Sequence, residues 1–229
     1  MHKLIHKFVT GVRADTDVEY GIQGGKRVRW DDLHIQQSEL DGACGVVCSL
    51  QCAMILEGLK REDVEEISNA KTGALQTLWK LASSTYFKGT DEKQIEALIG
   101  VFKPRLRSKS FKGGKTKELA HEIADAIDAG HVPILCIEHR SWRHWTLVIA
   151  VELDSDKKAP RALLCLDASN SRPPWGVFYN ARCSLQHGEY GKNRKPKKYS
   201  LPYATVDGGL CNVRLSGLVI VRRGLAAVQ

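Results

Sequence analysis

No stretch of this sequence reaches the ~18 to 20 uninterrupted apolar residues that a membrane helix requires. The apolar run Trp145 to Leu153 is short and contains Glu152, so no membrane contact is predicted. Met1 to Thr10 carries Lys3 and Lys7 but no apolar segment followed by a small-residue cleavage site. A secretory signal is therefore not predicted. No internal repeat is present, and the chain has no alternating β-α-β texture.

Cysteine is not scarce, but it lacks the patterns that would explain it structurally. The 229 residues hold seven cysteines, an odd number, which with no signal segment argues for reduced thiols in a cytoplasmic setting. Cys44, Cys48 and Cys52 stack on one helical face and do not recur with a second ligand pair as structural zinc sites do. Cys136, Cys165, Cys183 and Cys211 stand singly, mostly in apolar runs, where cysteine acts as a small hydrophobe. Neither a metal nor an organic cofactor is predicted.

The formal charge of +8 is partly scattered and partly concentrated in Lys192-Asn193-Arg194-Lys195-Pro196-Lys197-Lys198. Pro196 and the preceding Gly191 make that run a loop. No aromatic interleaving or nucleic-acid motif accompanies it, so it is read as a solvated loop, with an acidic partner as the functional alternative.

With 43% apolar content the chain is long enough for one full core, and a single domain over 1–229 is expected. Residues 1–36 alternate short apolar pieces with turn signals such as Gly24-Gly25 and read as extended or irregular. Residues 37–130 read as mainly helical. Ala43 to Leu59 is too continuously apolar for one strand and predicts a buried helix, with Asp41 ahead of it as cap and Gly58 near its end. Helices follow at Arg61 to Asn69, Leu75 to Ala82, Asp91 to Val101 with Thr90 as cap, and Thr116 to Ala129 with Thr116 as cap and Gly130 as stop. Residues 131–229 turn to β texture: Val132 to Glu138, Trp145 to Leu153, Ala162 to Asp167, Gly176 to Tyr179 and Gly217 to Arg223. Helices first and antiparallel strands afterwards define an α+β chain.

The order of these parts has a chemical consequence. Cys44 opens the buried helix, where unsatisfied N–H groups favour a thiolate, and His144 lies 100 residues later at the mouth of a strand. An imidazole beside a thiol activates it as a nucleophile. His139 competes for that role, and Trp145 favours His144 as an aromatic wall against water. Gly42 and Gly45 flank Cys44 and would let a substrate carbonyl approach the Cys44 amide, half of an oxyanion hole. Gln37, seven residues upstream, is the natural second donor, with Gln36 as the alternative. Cys48 and Cys52 lie deeper and read as packing.

Several motifs in this order resemble the papain-like cysteine peptidases, in particular the branch of the bacteriocin-leader processing peptidases. They are Gln37, Asp41-Gly42-Ala43-Cys44-Gly45 with the apolar helix after it, Gly130-His131-Val132-Pro133-Ile134-Leu135, His144-Trp145-Thr146-Leu147-Val148-Ile149 and Leu164-Cys165-Leu166-Asp167-Ala168. The resemblance spans about Gln37 to Ala168. Many members place the glutamine six residues before the cysteine and Asp directly before it, whereas here Gly42-Ala43 intervenes.

The resemblance implies a papain-like fold, a helical part with the nucleophile helix followed by an antiparallel sheet carrying the histidine and an acid. It implies a triad of Cys44, His144 and Asp167, with Asn170 as alternative orienting group. The implied activity is hydrolysis of peptide or isopeptide bonds in a protein or peptide substrate. With no ATP-binding segment, a transporter-linked enzyme is not expected. Deamidation or acyl transfer by the same chemistry, delivery as an effector by a signal-independent secretion system, and a non-catalytic basic binding module are the alternatives. Cleavage of the chain itself after Gly24-Gly25 is also conceivable, although Gly113-Gly114 and Gly208-Gly209 favour plain turns.

Overall fold

The computed structural model describes residues 4–14, 18–24, 27–38, 42–156, 159–174, 177–186 and 198–224. Four strands come first: β1 (Leu4–Phe8), β2 (Val12–Ala14), β3 (Val18–Gly24) and β4 (Arg27–Asp32). The helical part follows with α1 (Cys44–Glu57), α2 (Arg61–Glu65), a 3-10 turn at Ile67–Asn69, α3 (Gly73–Ser83) and α4 (Glu92–Gly100). Strand β5 (Leu106–Lys112) precedes α5 (Thr116–Asp128). The remainder is β: β6 (Val132–Glu138), β7 (Arg143–Asp154), β8 (Pro160–Leu166), β9 (Ala181–Ser184), β10 (Leu201–Thr205) and β11 (Leu210–Arg223). The molecule is thus α+β with an antiparallel sheet.

Strands β6 to β11 pair antiparallel in chain order, and β11 returns to β6, which closes a six-stranded barrel. Closure removes sheet edges from these six strands. Two of them are long enough to carry a further neighbour. The 12 residues of β7 pair β6 through Arg143 to Leu147 and β1 through Ala150 to Asp154. The 14 residues of β11 pair β10 near the start and β5 from Gly217 onward. Pro133, which has no N–H to donate, falls just outside the β6–β7 register, which starts at Ile134.

Helix α1 explains its own sequence. Cys44 to Leu56 are all buried, because the helix is enclosed by the barrel, α4 and the small β2-β3-β4 sheet. A helix buried all round shows no amphipathic period. It stops at Gly58, whose φ of 69° suits a residue without Cβ. Tyr20 Oη donates to Leu59 O at 2.7 Å and Arg223 Nε to Leu56 O at 2.8 Å, so both the small sheet and β11 tie down this end.

Several expectations are corrected. Of the segment 1–36, read as extended or irregular, the described residues include four strands: β1 extends the barrel sheet through β7 and β2 to β4 form a separate sheet. The helical stretch 37–130 also holds β5, which pairs β11. No strand forms at Val177 to Tyr179, Gly176 lies outside the described residues, and the strand comes later as β9. Asp91, not Thr90, caps α4, accepting from Gln94 N at 2.8 Å while the Gln94 side chain accepts from Asp91 N. Thr116 is the first residue of α5 rather than its cap. The segment Arg61 to Asn69 is a short helix and a 3-10 turn. Gly113 and Gly208 adopt φ of 65° and 84°, as turn glycines do. Asp41, Gly25 and Lys192 to Lys197 lie outside the described residues. Among the described residues no helix is long and apolar enough to cross a membrane.

Candidate active site

Cys44 is the first residue of α1, and no side chain caps that helix start. The Gly45 N–H of that first turn acts on the Cys44 thiol, and a helix start favours negative charge. The flanking glycines have a packing role. A Cβ on Gly42 would lie 2.6 Å from Gly89 N, and one on Gly45 only 1.9 Å from Thr90 Oγ1. Both glycines thus make room for the segment Tyr86 to Thr90, which lies against the helix start.

His144 enters from β7. Strand alternation puts the neighbouring Trp145 side chain on the other face, where it is buried and its indole donates to Thr90 O at 2.8 Å. Trp145 is therefore no wall over the imidazole, contrary to expectation. Its backbone N–H instead reaches Cys44 Sγ at 3.5 Å. The aromatic ring beside His144 is Trp142, edge-on at 6.4 Å between centroids.

Asp167 follows β8 directly and accepts a hydrogen bond from His144 Nε2 on Oδ1 at 2.7 Å. That leaves Nδ1 of the ring for Cys44, whose pKa His144 lowers, while Sγ itself lies 3.5 Å from Trp145 N and 4.0 Å from Gly42 O. Asn170 does not take Asp167's place: its backbone N–H donates to Asp167 O at 3.2 Å and its side chain to Ser169 Oγ. His139 sits in the β6–β7 turn, bonded to Ser141 Oγ at 3.2 Å. Gln37 is brought beside the acid by its backbone, whose N–H donates to Ala168 O at 2.8 Å. Its side-chain Oε1 is buried without a hydrogen-bond partner, while Gln36 is exposed.

The sequence reading did not find the groups that hold Asp167. Tyr203 Oη donates to Oδ2 at 2.6 Å, and Ser169 donates to Oδ1 through both N–H and hydroxyl, at 2.9 and 2.6 Å. Asn180 grips the backbone of Asp167, accepting from its N–H at 2.6 Å and donating to its carbonyl at 2.8 Å. Asn180 Nδ2 also donates to Ser171 O at 2.9 Å and lies 3.2 Å from Nε2 of the buried His34. Burial lowers the His34 pKa. Ser169, two residues after an aspartate, carries a local turn signal. Tyr203 and Asn180 carry none, since they lie 36 and 13 residues away.

The electrostatics separate Cys44 from the other thiols. All seven cysteines are free. Burial pushes Cys48, Cys52 and Cys165 well above the ordinary thiol value, Cys183 to about 12, and Cys136 and Cys211 upward too. Burial opposes ionisation of Cys44 as well, but the hydrogen bond and charge of His144, with the N–H groups of Trp145 and Gly45, outweigh it and lower its pKa. His144 shows the complement. Burial works against its charge, yet Asp167 and then Cys44 raise it to about 10. The Asp167 carboxyl, itself buried, is held well below the usual carboxylate range by His144, Ser169 and Tyr203.

No family model matches the chain, and no curated protein does. The geometry therefore carries the chemistry unaided: a buried thiol with lowered pKa, an imidazole on it, and a saturated carboxylate behind the imidazole. Such a set can form and hold a thiolate–imidazolium pair. A cleft of about 460 Å³ opens beside it, lined by His144, Asp167, Tyr203, Asn170, Trp142 and Leu210 among others. Among the described residues no group of three or more His, Cys, Asp or Glu is arranged to hold a metal ion. At the end of the basic run, Lys198 lies over the Tyr199 ring at 5.2 Å.

Proposed function

We propose that the chain is a cysteine hydrolase of papain-like fold that cleaves peptide or isopeptide bonds, with Cys44 as nucleophile, His144 as base and acid, and Asp167 orienting the imidazole. The observation that carries this reading is selective: of seven free cysteines, Cys44 alone has its pKa lowered, and the group that lowers it is an imidazole held by a carboxylate. A helix carrying the thiol, packed on a barrel carrying the other two groups, argues for the papain-like arrangement.

The chemistry follows from the hydrogen bonds. Nε2 of His144 stays on Asp167, so Nδ1 moves the protons. The Cys44 thiolate adds to the substrate carbonyl carbon, and the oxygen takes the negative charge. The N–H of Cys44 and the side-chain amide of Gln37 are the donors proposed for that oxygen. Collapse breaks the C–N bond, and His144 gives its Nδ1 proton to the departing amine. A water, deprotonated by the now neutral His144, attacks the thioester and releases the acid with the thiol regenerated.

The test is a mass-spectrometric search for new peptide termini after incubation with a proteome-derived peptide library, with Cys44→Ala as the blank. New termini that require Cys44 support the reading. Gln-to-Glu conversion without new termini would move the reaction to deamidation. No Cys44-dependent product, together with ordinary thiol reactivity at Cys44, would favour a binding module instead.

A further inference from the structure

Two exposed apolar side chains face the cleft beside His144, namely Trp142, 38% exposed, and Leu210, 75% exposed. Trp142 belongs to the β6–β7 turn and Leu210 opens β11 directly after the β10–β11 turn, and hydrogen bonds hold both turns. In the β10–β11 turn, Thr205 N donates to Gly209 O at 2.9 Å and Gly209 N to Thr205 Oγ1 at 3.1 Å. Asp207 Oδ2 anchors the same turn by accepting from Ser171 N at 2.9 Å. In the β6–β7 turn, His139 N donates to Trp142 O at 2.9 Å, and the two rings lie 5.4 Å apart. Large apolar groups left open beside hydrogen-bonded turns, in the lining of one cleft, are what a binding pocket for an apolar side chain requires.

The position of the cleft says which part of a substrate enters it. It is lined by His144 and Asp167 rather than by Cys44. A general acid must come within about 3 Å of the atom it protonates, so the leaving amine lies over the His144 ring. The substrate segment attached to that amine then runs on toward Trp142 and Leu210. The acyl side, bonded to Cys44 Sγ, extends away from these walls.

We propose that this cleft is the leaving-group subsite and that it takes an aliphatic or aromatic side chain, one or two residues after the scissile bond. The proposal rests on the hydrolase reading above. Charge selects little here, because Arg143, which also lines the cleft, is paired with Glu92 at 3.2 Å.

The experiment compares wild type, Trp142→Ala and Leu210→Ser on the peptide library and then on a matched pair of peptides. In the wild type, Leu, Ile, Met, Phe and Trp are expected to be enriched one or two places after the cut. For a peptide with such a residue, each variant is expected to lose about tenfold in kcat/KM, against less than about twofold for the partner peptide with Gly there. Cys44-dependent cleavage without that enrichment, or equal losses on both peptides, overturns the subsite and leaves the hydrolase reading standing. Absence of any Cys44-dependent cleavage overturns the hydrolase reading, and the subsite with it.

Discussion

Tyr203 donates its phenolic hydrogen to Asp167 Oδ2 at 2.6 Å, and burial keeps that phenol protonated by pushing its pKa well above the ordinary value. The carboxylate oxygen turned away from His144 is thus satisfied by a group that stays un-ionised. Tyr203→Phe should lower unfolding stability by about 1.5 to 3 kcal/mol, the usual worth of a hydrogen bond to a buried charge, measured by urea titration near neutral pH. Because Asp167's folded pKa is depressed, that contribution is present above its ordinary value of 3.8 and is lost as pH falls below it. The difference between wild type and variant should shrink in that acid range.

Hydrolysis and alkylation of Cys44 should part company at high pH. His144 is raised from 6.5 to about 10, so it remains the proton donor for the leaving amine until that pH. Turnover should fall above about pH 10 while alkylation by iodoacetamide, which needs only the thiolate, should not. At the acid end both should fall together as Cys44 gains its proton. The stability that His144's charge contributes is fully present below 6.5 and is lost as pH rises through about 10.

Removing the imidazole should erase the selectivity among thiols. With limiting iodoacetamide and peptide mapping at neutral pH, wild type should label at Cys44 first. His144→Ala should label there no faster than at the half-buried Cys211, with turnover reduced by about 10² to 10⁴-fold. Asp167→Asn should have an intermediate effect, since the ring keeps a hydrogen-bonding partner but loses the charge that raises its pKa.

Gly45→Ala should be destabilising by about 1 to 3 kcal/mol through overpacking against Thr90, because the new Cβ would fall 1.9 Å from Thr90 Oγ1 and 3.1 Å from its Cβ. Thr90→Ala in the same chain should restore part of the loss, the hydroxyl being the nearer obstacle. A double-mutant cycle read by thermal or urea unfolding checks the coupling.

What the sequence made legible is set by how local each signal was. Helix α1 was readable because its burial leaves an apolar run too long for a strand, and its end because Gly58 follows. Strand β6 was readable to the residue, since Val132–Glu138 is a short apolar run between Gly130 and charged positions. Strand β5 was missed for the opposite reason: Arg107 and Lys109 alternate with Ser108 and Ser110 and Lys112 ends the strand, so neither face reads as apolar, and only its pairing with β11 makes it a strand. At the site, Cys44 and His144 announce themselves by residue type at element starts, and Asp167 through the order of motifs that carries the resemblance. Tyr203, Asn180 and His34 do not, because their roles arise from pairing across the barrel and no spacing along the chain records it.

Helix α1 is enclosed on every side, and this divides the molecule between what can drift and what cannot. A helix packed all round cannot slide or turn without opening voids along its whole length, so the sulfur at its tip is located by the entire interior. Trp142 and Leu210, in the lining of the cleft, are exposed and contribute little to that interior. Under the proposed function, exchanges at Trp142 and Leu210 would change specificity while Cys44 keeps its place.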